Sequence, residues 1–139
     1  MIDAGCHTIG FSKCRQFTFR LMDGDQFLSP SLAQKIESQC PQSNSNNVLP
    51  FDPNSPFNFD ASYFQNLQNV DGLLFTDQVL FSHPATKDLV SQFASSQSLF
   101  FQSFINSIIK MTTIGVLTGQ DGEIRNVCSQ VNSSWHYNL

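Results

Sequence analysis

Ala4-Gly5-Cys6-His7-Thr8-Ile9-Gly10 sets one histidine among small and apolar neighbours near the start of the chain. A histidine alone beside an apolar face is more often a hydrogen-bonded core residue than a metal ligand, so its partners decide its chemistry. Oxygen-bearing side chains that could serve come much later: Asp52, Ser55 and Asp60 in one stretch, then Asp77 in Thr76-Asp77-Gln78. Taken singly, Asp52 and Asp60 have the character of turn and cap residues. The four cysteines, Cys6, Cys14, Cys40 and Cys128, lack the paired C-x-x-C spacing of a zinc knuckle. Their even number is compatible with two disulfides, and Asn132-Ser133-Ser134 matches an N-glycosylation acceptor. Both hints point outside the cytosol.

The elements that must position these groups read as helical. With 139 residues, 40% of them hydrophobic, the chain can bury a single core. Fourteen Phe against one Trp and two Tyr favour a dry, aromatic-packed interior. A net charge of -4 argues against nucleic-acid or anionic-membrane binding. No apolar run is long enough to span a membrane, and Met1-Ile2-Asp3 does not open a signal peptide.

Residues 3–22 are predicted as one helix, with Phe11, Cys14 and Phe17 or Thr18 following His7 at helical steps. Ser29-Pro30 should start a second helix, running through Leu32 and Ile36 to Cys40 and stopped by Pro41. Residues 41–59 read as a long, proline-rich polar loop, held in place by Phe51, Phe57 and Phe59. Asp60 is predicted to cap a helix carrying Tyr63, Phe64 and Leu67. A turn at Asp71-Gly72 and the run Leu73-Leu74-Phe75 lead into Thr76-Asp77-Gln78, and Pro84 opens a further helix with Leu89, Val90 and Phe93. The two-wide apolar stripe Phe100, Phe101, Phe104, Ile105, Ile108 and Ile109 predicts a core helix over 98–113. Ile124–Cys128 is expected to close the fold. The fold class is all-α with long proline-rich loops, a domain over 1–128 and a polar tail over 129–139.

Several segments, in order, resemble the plant secretory (class III) haem peroxidases. They are Gly5-Cys6-His7-Thr8-Ile9-Gly10, Cys40-Pro41, Phe51-Asp52 through Phe59-Asp60, Gly72-Leu73-Leu74-Phe75-Thr76-Asp77-Gln78, and Leu117-Thr118-Gly119 with Gly122-Glu123-Ile124-Arg125. The resemblance implies a haem-peroxidase-like helical domain, of which this chain carries the C-terminal, proximal half. It implies that His7 is the axial ligand of haem b, Asp77 the carboxylate on its other ring nitrogen and Phe51 the ring packed against it. It implies a calcium site of Thr8, Asp52, Ser55 and Asp60, with the backbone carbonyl of Asn58 in range. It pairs Cys14 with Cys40, a closure contributing roughly 3 kcal/mol in the chain-entropy model. Cys128 is left unpaired, and Cys6 stands where the motif has a small alanine, so it is expected to be a small buried, unpaired residue.

The resemblance further implies hydrogen peroxide and phenolic small molecules as reactants, and a secreted or vacuolar location. No distal Arg and His segment is matched: His83 precedes a helix start and His136 lies in the tail. The first reading is therefore a haem peroxidase whose acid–base residues lie outside this sequence. The alternative is a non-catalytic remnant that binds calcium or a protein partner through an apolar face left open to water.

Overall fold

The computed structural model describes residues 3–22, 24–41 and 46–132. It forms two compact units, Met1–Ser107 and Ile108–Leu139. The fold is mainly helical, as expected, with one two-stranded sheet among the described residues.

The single helix predicted over 3–22 does not form. Asp3–Thr8, Cys14–Gln16 and Thr18–Leu21 are short 3-10 helices, and Phe11–Lys13 is strand β1. The break lies at Gly10, whose φ of 110° is open to glycine and costly for other residues. A Cβ there would also meet the Phe51 ring at 3.4 Å. Beyond the break, β1 pairs antiparallel with β2, Val48–Pro50, in the register Phe11↔Pro50, Ser12↔Leu49 and Lys13↔Val48. The predicted 41–59 loop thus contains a strand, although residues 42–45 lie outside the described set.

Helix α1, Pro30–Gln39, begins as predicted: Ser29 Oγ accepts from the Leu32 N–H at 3.1 Å. Its buried Leu32 and Ile36 join Cys14, Phe17, Cys40, Leu49 and Leu73 in a first core, closed by the Cys14–Cys40 disulfide. Helix α2, Ser62–Gln68, starts one residue later than Asp60 would cap it; Ala61 holds the cap position, and Asp60 Oδ1 accepts from the Ser62 N–H at 2.9 Å. Helices α3, Phe75–Ser82, and α4, Pro84–Ser95, follow, with His83 Nδ1 accepting from the Ala85 N–H at 3.2 Å. His83 is therefore a capping residue. Tyr63, Phe64, Leu67, Val90, Phe93, Ala94 and Phe100 form the second core. Its rings meet at edge and tilted angles, as in the Phe64–Phe100 contact at 4.8 Å.

Helix α5, Gln97–Thr113, has the predicted length and a different burial. Phe100 is buried, whereas Ile105 and Ile109 are 57% and 58% exposed. A stripe records which face is apolar and not what covers it, so the core-helix expectation holds only around Phe100. Ile124 is exposed and lies in no regular element, so the expected closing segment is not buried. The tail beyond Asn132 lies outside the described residues.

Candidate functional site

His7 lies in the last turn of the 3-10 helix Asp3–Thr8, and its Nδ1 lies 2.9 Å from Asp77 Oδ2. Asp77 is in the first turn of α3 and only 4% exposed. An ionised carboxylate can only accept, so Nδ1 carries the proton and the Nε2 lone pair is left free. Nε2 has no hydrogen-bond partner among the described residues. Phe51 stacks on the imidazole at 4.1 Å with the planes 15° apart, and Tyr63 meets it edge-on at 6.4 Å. The hydrogen bond to Asp77 raises the His7 pKa above its ordinary 6.5 despite the opposing effect of burial.

The segment before α3 explains how Asp77 is held. Gln78 Oε1 accepts from the Gly72 N–H at 3.0 Å and Gln78 Nε2 donates to Leu67 O at 2.8 Å. A Cβ at Gly72 would meet Leu67 Cδ2 at 2.6 Å and Gln78 Oε1 at 2.8 Å, so a larger residue there would have to displace both side chains. Arg20, 1% exposed, donates through Nη1 to the carbonyls of Gly72 and Leu73, through Nη2 to Phe27 O at 2.7 Å, and through Nε to Asp25 Oδ2 at 2.7 Å. Sequence reading missed Arg20, because nothing local announces a buried cation. Its nearest signal is Asp25 in the turn five residues later.

The second cluster is built from oxygens. Thr8 Oγ1 lies 2.9 Å from Asp60 O and 3.4 Å from Asn58 O. Ser55 Oγ donates within 3.1 Å of both Asp52 Oδ2 and Asp60 Oδ1. Thr8, Asp52, Ser55 and Asp60 are thus brought together, with Thr8 and Asp52 fully buried. Asp52 Oδ1 is committed to the backbone N–H groups of Asn54 and Ser55, to Ser62 Oγ and to Asn66 Nδ2. Asn66 is the supporting residue the sequence reading overlooked; its signal is a position four after Ser62 on one helix face. No group of three or more His, Cys, Asp or Glu that could hold a metal occurs among the described residues. With two carboxylates, the donor set fits a hard cation bound largely through neutral oxygens, and not a thiolate or imidazole metal.

The disulfide is Cys14–Cys40, with Cα atoms 5.7 Å apart. Cys6 and Cys128 are free and exposed. Exposure of Cys6 corrects the expectation of a buried residue: a 3-10 helix repeats every three residues, so Gly5 and Thr8 share the buried side and Cys6 turns away from it.

A mainly helical domain presents an imidazole anchored by a buried carboxylate, with an aromatic ring against its face, an arrangement that can orient a metal-ligating histidine. A family model described as Peroxidase matches residues 1–96. A peroxidase from Triticum aestivum is 41% identical over 131 residues, covering 94% of this chain and 42% of its own length. Peroxidase 54 and Peroxidase 15 of Arabidopsis thaliana are 43% and 42% identical, covering 93% and 94% of the chain and 38% and 41% of their own lengths. The chain belongs to the peroxidase family, in its plant class III branch, and spans about two-fifths of the length of these curated relatives.

Proposed function

We propose that this chain provides the proximal, haem-holding side of a peroxidase that uses hydrogen peroxide to oxidise phenolic donors. The observation that carries the reading is the His7–Asp77 pair at 2.9 Å with Phe51 stacked on the imidazole. Haem b, when bound, supplies the iron that accepts oxidising equivalents from peroxide and passes them to the donor. His7 ligates through Nε2, Asp77 holds the Nδ1 proton and makes the imidazole a stronger electron donor, and Phe51 fixes the plane of the ring. Calcium in the cluster of Thr8, Asp52, Ser55 and Asp60 ties the 52–60 segment to the residue next to His7, so the ion steadies the ligand it never touches. The distal acid–base pair that cleaves peroxide belongs to the complete enzyme; without such help the rate falls by roughly 10² to 10⁴. The Cys14–Cys40 disulfide supports a secreted or vacuolar location, where thiols are oxidised.

The exposure of Ile105 and Ile109 favours a second reading, in which the chain is non-catalytic and binds calcium or a partner through its apolar surface. One experiment separates the two. The purified chain is titrated with haemin and followed for the ferric-histidine spectrum, with His7→Ala in parallel, and then assayed for peroxide-dependent oxidation of a phenol. Binding that His7→Ala abolishes, with turnover, supports the enzyme. Binding without turnover supports the second reading. Haemin binding that ignores His7→Ala sinks the axial assignment.

A further inference from the structure

Asn132 is the acceptor residue of Asn132-Ser133-Ser134, yet its side-chain amide is spent within the fold. Oδ1 accepts from the Asn126 N–H at 3.1 Å, and Nδ2 donates to Ile124 O at 3.0 Å. The backbone N–H of Asn132 donates to both carboxylate oxygens of Glu123, each at 3.2 Å. Arg125 Nε holds the same carboxylate at 3.3 Å, and Arg125 Nη1 donates to Cys128 O at 3.0 Å. All of these contacts lie within the unit Ile108–Leu139.

No helix or strand covers 123–132, so these side chains supply bonds that a regular element would otherwise give its backbone. Asn132 is the far end of that closure: its two amide atoms and its N–H all reach back to 123–126. A sugar acceptor uses the same amide. In N-glycosylation one Nδ2–H bond breaks and an Nδ2–C1 bond forms; the sugar comes from a lipid-diphosphate donor, the lipid diphosphate leaves, and the proton passes to solvent. Oδ1 and Nδ2 both face the one short segment 124–126, so the hydrogen given to Ile124 O lies on the oxygen's side of the planar amide. A substituted amide prefers its substituent on that side, as a trans peptide does. The sugar carbon therefore takes the place of the hydrogen that closes the loop.

We infer that Asn132 is a modification-sensitive latch: an N-linked sugar on Asn132 and the closed 123–132 loop exclude each other. A chain that receives the sugar before it folds loses the bond to Ile124 O, and the bulk of the glycan drives the 124–126 backbone away from Oδ1. A chain that closes the loop first withholds Nδ2 from the transfer. The inference takes its setting from the secreted or vacuolar reading and its geometry from the loop alone.

Two measurements on the full chain test it. The first needs no sugar: hydrogen exchange at the Asn126 amide is compared in the unglycosylated wild type and in Asn132→Ala. Exchange should be slowed in the wild type and fast in the variant, and equal rates overturn the inference. If Asn132→Ala does not fold, the wild type alone decides, because an unprotected Asn126 amide means that the latch is not closed. For the second, the chain is sent through a eukaryotic secretory pathway behind a cleavable leader, and its sugar-bearing and sugar-free forms are separated on a lectin and mapped by peptide mass. Asn126 should be protected only where Asn132 carries no sugar; protection in the Asn132-glycosylated form overturns the inference. If the wild type yields no such form, the Glu123→Ala, Arg125→Ala double variant, with its acceptor sequence intact, should yield it. A double variant that also stays unmodified overturns the inference, since something other than the latch then closes the site. Retention of the natural chain inside its cells would remove the secreted reading and leave both measurements standing.

Discussion

His7 Nδ1 and Asp77 Oδ2 lie 2.9 Å apart although 70 positions separate the residues. The pair makes stability depend on pH with a definite sign. The folded chain raises the His7 pKa above 6.5, so it holds that proton more tightly than the unfolded chain does. The stabilisation is fully present below the unfolded pKa and is lost as pH rises through the folded one. Melting temperatures of the metal-free chain, measured across that window, should fall with rising pH through this contribution, and the Asp77→Asn variant should lose it. Haemin affinity should run the other way, weakening as pH falls, because the proton and the iron compete for Nε2.

The same carboxylate orients the imidazole. Asp77→Asn keeps the shape and removes the charge, so haemin should bind roughly 10- to 100-fold more weakly. Optical titration of the two proteins measures this directly. Equal affinities would mean that the imidazole is held well enough by Phe51 and its own backbone.

The proposed calcium site predicts a separate dependence. A chelator should lower the melting temperature of the wild-type chain and leave Asp60→Asn unaffected, because that substitution removes one of the two carboxylates. Asp52→Ala should cost about 1–3 kcal/mol even with chelator present. Asp52 Oδ1 accepts from Asn66 Nδ2 and two backbone N–H groups, and all of these would be left unpaired. Denaturant melts with and without calcium distinguish the ionic from the structural share.

Arg20 tests how Asp77 comes to its place. Removing one partner of a buried pair strands the other, so Arg20→Ala should destabilise the chain by about 3–5 kcal/mol. Its 72–73 carbonyls would lose their donors and the start of α3 would loosen. Arg20→Lys should restore little, since one ammonium cannot reach Asp25, Phe27 and the 72–73 carbonyls in their planar arrangement. Urea melts give the stability, and the His7 Nδ1–H resonance reports whether the pair survives.

By itself, the sequence determined what acts over a few residues. Ser29-Pro30 and Pro84 set helix starts, Pro41 set a stop, and the ordered motifs around His7, Phe51, Asp52 and Asp77 named the family. Only the tertiary structure decided which side chains meet and which are covered. Gly10 turned a predicted helix into a strand because a partner strand at 48–50 was there to receive it. Cys6 faces outward because the segment winds as a 3-10 helix. Ile105 and Ile109 on α5 are exposed, and Arg20 is buried because the carbonyls of Gly72 and Leu73, brought in by folding, join the nearby oxygens of Asp25 and Phe27 around it. Capping and turn chemistry are written in neighbouring residues, whereas burial and charge pairing depend on contacts that the chain makes only once it has folded.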